Sequence, residues 1–187
     1  MVMQAVLVDL DGTLVDTHAA NLAAYRQALG ETGMAYSSAD LSSSVGKMAW
    51  RPMLKQVLPL HPDLHERIAR RKREIYPTLF DRVRVNKLLV AVLQQLHKTV
   101  PIALVTAASR ASVTPLLAEK KLDYLFSIVV TSDDTTASKP SPEPFIKAAA
   151  LLNVGPEDCL VLEDSDVGLA AAQAFGAQTW RIHWLDE

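Results

Sequence analysis

The sequence predicts an α/β fold, a doubly wound parallel sheet with an all-helical insertion, and three observations lead there. Short apolar runs alternate with amphipathic helical stretches from residue 84 onward, the pattern of strands joined by crossover helices. The runs are continuously apolar and not alternating, as strands covered on both faces must be. Between the first run and the others, residues 17–83 carry only helical patterning.

Each element follows from local pattern. Residues 1–10 form a strand centred on Ala5-Val6-Leu7-Val8, and Asp11-Gly12-Thr13 breaks it. Over 18–30, Leu22, Tyr25, Ala28 and Leu29 recur at helical spacing, and Gly30 and Gly33 mark the end. Asp16 is the expected cap of that helix. The serine-rich stretch 36–44 reads as a connection with room for a short helix. Two helices, 47–58 and 63–76, are separated by Pro59 and Pro62. No strand pattern is visible from the insertion's start through Phe80. On the second of these helices Glu66, Arg67, Arg70, Arg71, Arg73 and Glu74 form a solvated outer face, with Ile68 and Ile75 turned inward. Beyond it the order is helix 86–97, strand 101–106, helix 112–120, strand 126–131, helix 142–152, strand 158–162, helix 167–175 and strand 177–182. The expected division is a core of 1–16 and 84–187 and a helical insertion of 17–83.

Composition narrows the function classes. With 49% hydrophobic and 21% charged residues the chain is globular and not disordered. A net charge of −2 argues against a nucleic-acid partner. The single cysteine, Cys159, rules out an intrachain disulfide framework and sits in an apolar run, as a small core residue does. No apolar run approaches the roughly 20 residues of a membrane span, and no signal-peptide pattern is present. A cytoplasmic monomer without membrane or nucleic-acid partners is the expectation.

Polar residues stand where the strands end. In doubly wound sheets ligands bind beyond the carboxyl ends of strands. Strand one runs into Asp9-Leu10-Asp11-Gly12-Thr13, the second into Thr106, and the fourth into Glu163-Asp164-Ser165; Lys139 follows the third. Such carboxylates repel each other unless a cation sits among them. Magnesium takes oxygen ligands from one or two carboxylates together with substrate phosphate. An ammonium and a hydroxyl on the same edge suit the remaining phosphate oxygens. Taken singly, an Asp at a strand end is a turn former or a cap. Ser165, for instance, is placed to cap the helix after it.

The four segments, in order, resemble the motifs of the haloacid dehalogenase superfamily. Asp9-Leu10-Asp11-Gly12-Thr13 resembles the first, Thr106 the second, and Lys139 in Ser138-Lys139-Pro140-Ser141-Pro142-Glu143-Pro144-Phe145 the third. Leu162-Glu163-Asp164-Ser165-Asp166-Val167-Gly168-Leu169 is similar to the fourth. The resemblance implies a Rossmann-like core with a small helical cap of the phosphatase and β-phosphoglucomutase branch. It implies that Asp9 is the nucleophile and a metal ligand, and that Asp11 is the acid/base, its carbonyl also on the metal. Asp164 is then a further Mg2+ ligand with Glu163 as a helper, and Thr106, the Ala107 N–H and Lys139 hold the phosphoryl group. In the cap, Lys47, Trp50 and Arg51 are the implied specificity residues.

The expected activity is magnesium-dependent hydrolysis of a small phosphorylated metabolite, a sugar phosphate, through an aspartyl-phosphate. Alternatives within the resemblance are a phosphoglycolate-type phosphatase and a β-phosphoglucomutase-like phosphosugar mutase. The mutase branch carries a histidine in the helix after the first motif, where this chain has Asn21. A non-catalytic binding module is the alternative outside enzymology, and it would not need both Asp9 and Asp11.

Overall fold

The structure, a computed structural model, describes residues 3–46, 48 and 50–184. Its chain divides into two compact units, Met1–Asp16 with Val85–Glu187, and Thr17–Arg84.

The first unit holds a five-stranded parallel sheet. Its strands are β1 (Ala5–Val8), β4 (Ile102–Val105), β5 (Ile128–Val130), β6 (Cys159–Glu163) and β7 (Gln178–Arg181), in the order β5-β4-β1-β6-β7. Chain order reverses across the central strand: β4 and β5 build outward on one side of β1, and β6 and β7 on the other. That reversal opens a crevice at the carboxyl end of β1. The register is defined by Val8, which pairs with Leu104 on one side and Leu162 on the other. One residue further along, Asp9 stands level with Val105 and Glu163.

Both faces of the central strands are buried, and their continuous apolar runs follow from this. Val6, Leu7, Val8, Ile102, Ala103 and Leu104 are wholly inaccessible. One face packs under α7 (Glu143–Leu152) and α8 (Asp166–Phe175), with Phe145, Ala148, Ala171, Ala172 and Phe175 against Leu7, Val105 and Val161. Phe145 and Phe175 meet at a ring-centre distance of 6.2 Å. Truncating a buried phenylalanine such as Phe145 typically costs about 3–5 kcal/mol. Cys159 is buried in the same cluster. The other helices of this unit are α5 (Lys87–Leu96) and α6 (Arg110–Glu119).

The second unit contains α1 (His18–Gly30), α2 (Ser38–Ser44), α3 (Trp50–Val57) and α4 (His65–Ile75). Helices α1 and α4 pack together, burying Tyr25, Ala28, Leu29, Ile68 and Ile75. The basic face of α4 is solvated, and its Arg71 clasps Glu31 through two hydrogen bonds of 2.7 and 2.9 Å. No described helix is long and apolar enough to cross a membrane.

Two features differ from the sequence reading. Val15–Asp16 (β2) and Arg84–Val85 (β3) pair as a short two-stranded ribbon. Two residues are too few to leave a periodic trace in sequence. Because Asp16 is drawn into β2, it does not cap α1. Thr17 occupies that position, and its side chain makes no capping hydrogen bond. Ser165, by contrast, caps α8, its hydroxyl accepting from the Gly168 N–H at 3.0 Å.

Candidate active site

Asp9 is the first residue past β1, and its N–H donates to the Leu162 carbonyl at 3.0 Å. Its side chain is buried, with 7% of the residue exposed. Lys139 reaches it from the loop before α7, giving a 2.6 Å ion pair to Asp9 Oδ1. The same ammonium binds Glu163 Oε2 at 2.6 Å and the Val105 carbonyl at 3.1 Å. Three acceptors match its three N–H bonds. The Phe145 ring lies 5.0 Å from the ammonium.

Glu163 is 1% exposed and fully engaged. Its other oxygen accepts from Asp164 N, Ser165 N and the Ser165 hydroxyl, at 3.2, 3.2 and 2.8 Å. Gly168 makes this possible: a Cβ there would overlap the carboxyl group of Glu163. Asp164 is half-buried and accepts from the Thr13 hydroxyl at 2.8 Å. Gly12 plays a matching part beside it. Its φ of +92° suits glycine, and a Cβ would lie 2.7 Å from the Asp164 carboxyl carbon. The two glycines thus leave room for the two acidic side chains of the fourth motif.

Burial pushes the Asp9 carboxyl up to about 7, against the pull of Lys139, with Glu163 and Asp11 adding to the rise. Burial opposes charge on Lys139, but the Asp9 and Glu163 carboxylates outweigh it and hold the ammonium protonated. Asp164 is also raised, chiefly by burial, while the Thr13 hydroxyl pulls the other way.

Asp9, Glu163 and Asp164 each offer a carboxylate oxygen, and these oxygens lie within 4.8 Å of one another. An all-oxygen donor set of three carboxylates fits a hard divalent cation such as Mg2+. Asp11 is exposed two residues beyond Asp9. Thr106 is buried at the end of β4, where its Oγ1 accepts from Ala108 N at 3.0 Å. That leaves the hydroxyl hydrogen able to donate elsewhere. Ala107, next to it, is exposed.

The first unit therefore gathers Asp9, Lys139, Glu163 and Asp164 into one bonded cluster at the sheet edge, where Asp11, Thr106 and Ala107 also end up. The implied cap residues belong to the other unit. There Arg51 stacks on Trp50 at 4.3 Å and pairs with Glu66 at 3.0 Å. Lys47 lies outside the described residues.

Residues 6–182 match the family model for haloacid dehalogenase-like hydrolases. The chain belongs to that family. Among its relatives is the fructose-1-phosphate phosphatase YqaB of Escherichia coli (strain K12), 33% identical over 183 residues and covering 96% of each chain. Pyrophosphatase PpaX of Bacillus cereus (strain G9842) is 29% identical over 196 residues, covering 98% of this chain and 85% of its own. A crystal structure of a predicted phosphoglycolate phosphatase from Haemophilus somnus superposes with a TM-score of 0.85 at 22% identity, covering 95% and 84% of the two chains. This last likeness speaks for the Rossmann-like fold alone.

Sequence reasoning did not find the contacts that hold this haloacid dehalogenase-like site together. Thr13 stands inside the first motif, so its bond to Asp164 had a visible signal. Asn86, whose side chain donates to the Thr13 carbonyl at 3.3 Å and caps α5, had a weaker one. Trp184, whose indole N–H donates to the Gly12 carbonyl at 2.6 Å, had none.

Proposed function

We propose that this chain is a magnesium-dependent phosphatase that hydrolyses a small phosphorylated metabolite, a sugar phosphate, through an aspartyl-phosphate on Asp9. The observation that carries the reading is the buried Asp9 carboxylate, fixed by Lys139 and grouped with Asp164 and Glu163. Near full-length similarity to a fructose-1-phosphate phosphatase supports the substrate class.

In this reading Asp9 Oδ attacks phosphorus and the leaving oxygen departs in line, dividing one displacement into two easier ones. Asp11 gives its proton to the leaving oxygen, then takes one from the water that cleaves the acyl phosphate. Thr106, the Ala107 N–H and Lys139 hold the phosphoryl oxygens, preorganised donors aimed at developing charge. Asp9 and Asp164, with the Asp11 carbonyl, would hold Mg2+, and Glu163 chiefly orients Lys139. Bound magnesium would supply positive charge that keeps Asp9 ionised near neutrality and offsets charge on the transferring group. Trp50, Arg51 and Lys47 are the proposed substrate-selecting residues.

The test is phosphate release from hexose 1- and 6-phosphates, phosphoglycolate, pyrophosphate and a flavin mononucleotide, with Mg2+ and with EDTA. Magnesium-dependent release, greatest on a sugar phosphate and abolished in a folded Asp9→Asn variant, is expected. Release that persists in Asp9→Asn would overturn the mechanism. Absence of release from any member by folded wild-type protein would overturn the activity.

A further inference from the structure

The last residue of β7 and the segment after it make four hydrogen bonds to Gly12 and to residues 163–166, which carry or flank the acidic residues. Ile182 N donates to the Glu163 carbonyl at 2.8 Å. Arg181 Nε donates to the Asp164 carbonyl at 3.2 Å, and its Nη2 pairs with Asp166. Trp184 Nε1 then crosses to the other loop and donates to the Gly12 carbonyl at 2.6 Å. The first of these continues the sheet ladder, in which Glu163 pairs with Arg181. The Trp184 bond lies beyond the last paired residue and contributes nothing to that ladder.

Resting on the phosphatase reading, we infer that Trp184, assisted by Arg181, is a positioning residue for the acidic loops. It sets the Gly12–Thr13 peptide so that Thr13 orients Asp164. The path is short and continuous. The Gly12 carbonyl belongs to the peptide that places Thr13, and the Thr13 hydroxyl donates to Asp164 Oδ1 at 2.8 Å. Gly12 has no side chain to restrict its own peptides, and it adopts φ +92°, a conformation that glycine reaches without strain. The Gly12 N–H already donates to the Val15 carbonyl at 2.8 Å; a charge-neutral donor on the Gly12 carbonyl fixes the second of its two peptides without adding a further charge to a cluster already crowded with carboxylates. The indole N–H bonds neither a proposed metal ligand nor a reacting atom, so the effect of that one bond passes through Gly12 and Thr13.

The decisive variant is Trp184→Phe, which keeps an aromatic ring and removes the N–H donor. Three quantities are read. In metal-free protein, amide hydrogen exchange across residues 10–16 should rise while exchange in β1 and β4 stays unchanged. By calorimetry, Mg2+ affinity should fall about three- to tenfold, the size of one lost hydrogen bond. In steady state, the Mg2+ concentration for half-maximal rate should rise by the same factor, with kcat at saturating Mg2+ close to wild type. Arg181→Met is the second variant, with exchange rising instead across 163–166. Wild-type exchange and wild-type Mg2+ affinity in Trp184→Phe would overturn the inference. Failure of the phosphatase reading looks different: wild-type protein would itself neither bind Mg2+ nor release phosphate, while the exchange measurement would still report whether Trp184 restrains the loop.

Discussion

Gly168→Ala separates two physical effects of opposite sign. Gly168 lies within α8 and has no left-handed φ, so the substitution should stabilise the helix by about 1 kcal/mol from propensity alone. Against this, the new methyl would occupy the space of the Glu163 carboxyl group. An exposed glutamate would swing aside cheaply. Glu163 is 1% exposed and its carboxylate accepts four hydrogen bonds, one of them from the Lys139 ammonium at 2.6 Å. Displacing it leaves a buried ammonium with one carboxylate partner fewer, and breaking a buried pair in this way costs about 3–5 kcal/mol. The net expectation is a loss of about 2–4 kcal/mol, or roughly 5–15 °C in melting temperature for a chain of this size. Urea unfolding should show a lower midpoint at unchanged slope. In a Glu163→Ala background, where the methyl meets no carboxylate, the same substitution should be neutral or stabilising, and the double-mutant cycle isolates the clash. Gly168→Ala protein as stable as wild type would refute the reasoning, since propensity would then have outweighed the steric effect.

Other outcomes follow from the same geometry. Asp11→Asn should lower kcat by about 10²–10⁴-fold on an alkyl phosphate and by much less on p-nitrophenyl phosphate, whose leaving group needs no proton; equal losses on both would remove its acid role. Asp134 accepts from the N–H and hydroxyl of Thr131, both at 2.8 Å, and these bonds hold its carboxyl below the ordinary 3.8. A depressed carboxylate stabilises the fold above its unfolded value and loses that contribution as pH falls through the folded one. Asp134→Asn should therefore lower the melting temperature by a constant amount above about pH 5, with the gap to wild type closing below 3.8. A gap independent of pH down to the acid transition would contradict this account.

The sheet was legible because burial on both faces demands unbroken apolar runs, and Ala5-Val6-Leu7-Val8 and Cys159-Leu160-Val161-Leu162 show them plainly. The polar residues that end those runs were legible for the same reason, since parallel strands deliver all their carboxyl ends to one edge. Partnership inside that edge was not. Nothing in the spacing of Lys139 and Glu163 says that one ammonium would bridge two carboxylates, or that Gly168 would be the residue making room. Those facts depend on the register that sets Asp9 beside Glu163, which is a tertiary quantity. The failed cap at Asp16 has the same origin: its backbone was claimed by a two-residue strand whose partner lies at Arg84–Val85. Trp184 is the extreme case, joined to Gly12 across 172 positions of sequence.

Asn86 has a consequence for the variability of this chain. Its N–H donates to the Leu14 carbonyl at 2.9 Å and its side chain to the Thr13 carbonyl at 3.3 Å. The points where the chain leaves the sheet unit and returns to it are therefore tied to each other by the sheet unit's own residues. A segment hung between two ends already fastened adds little closure entropy as it grows, about 0.6 kcal/mol for each doubling of length. Growth of the segment 17–84 should therefore cost the sheet unit little while the bonds among Thr13, Leu14 and Asn86 stay made. That makes the position a natural joint for grafting one helical segment in place of another.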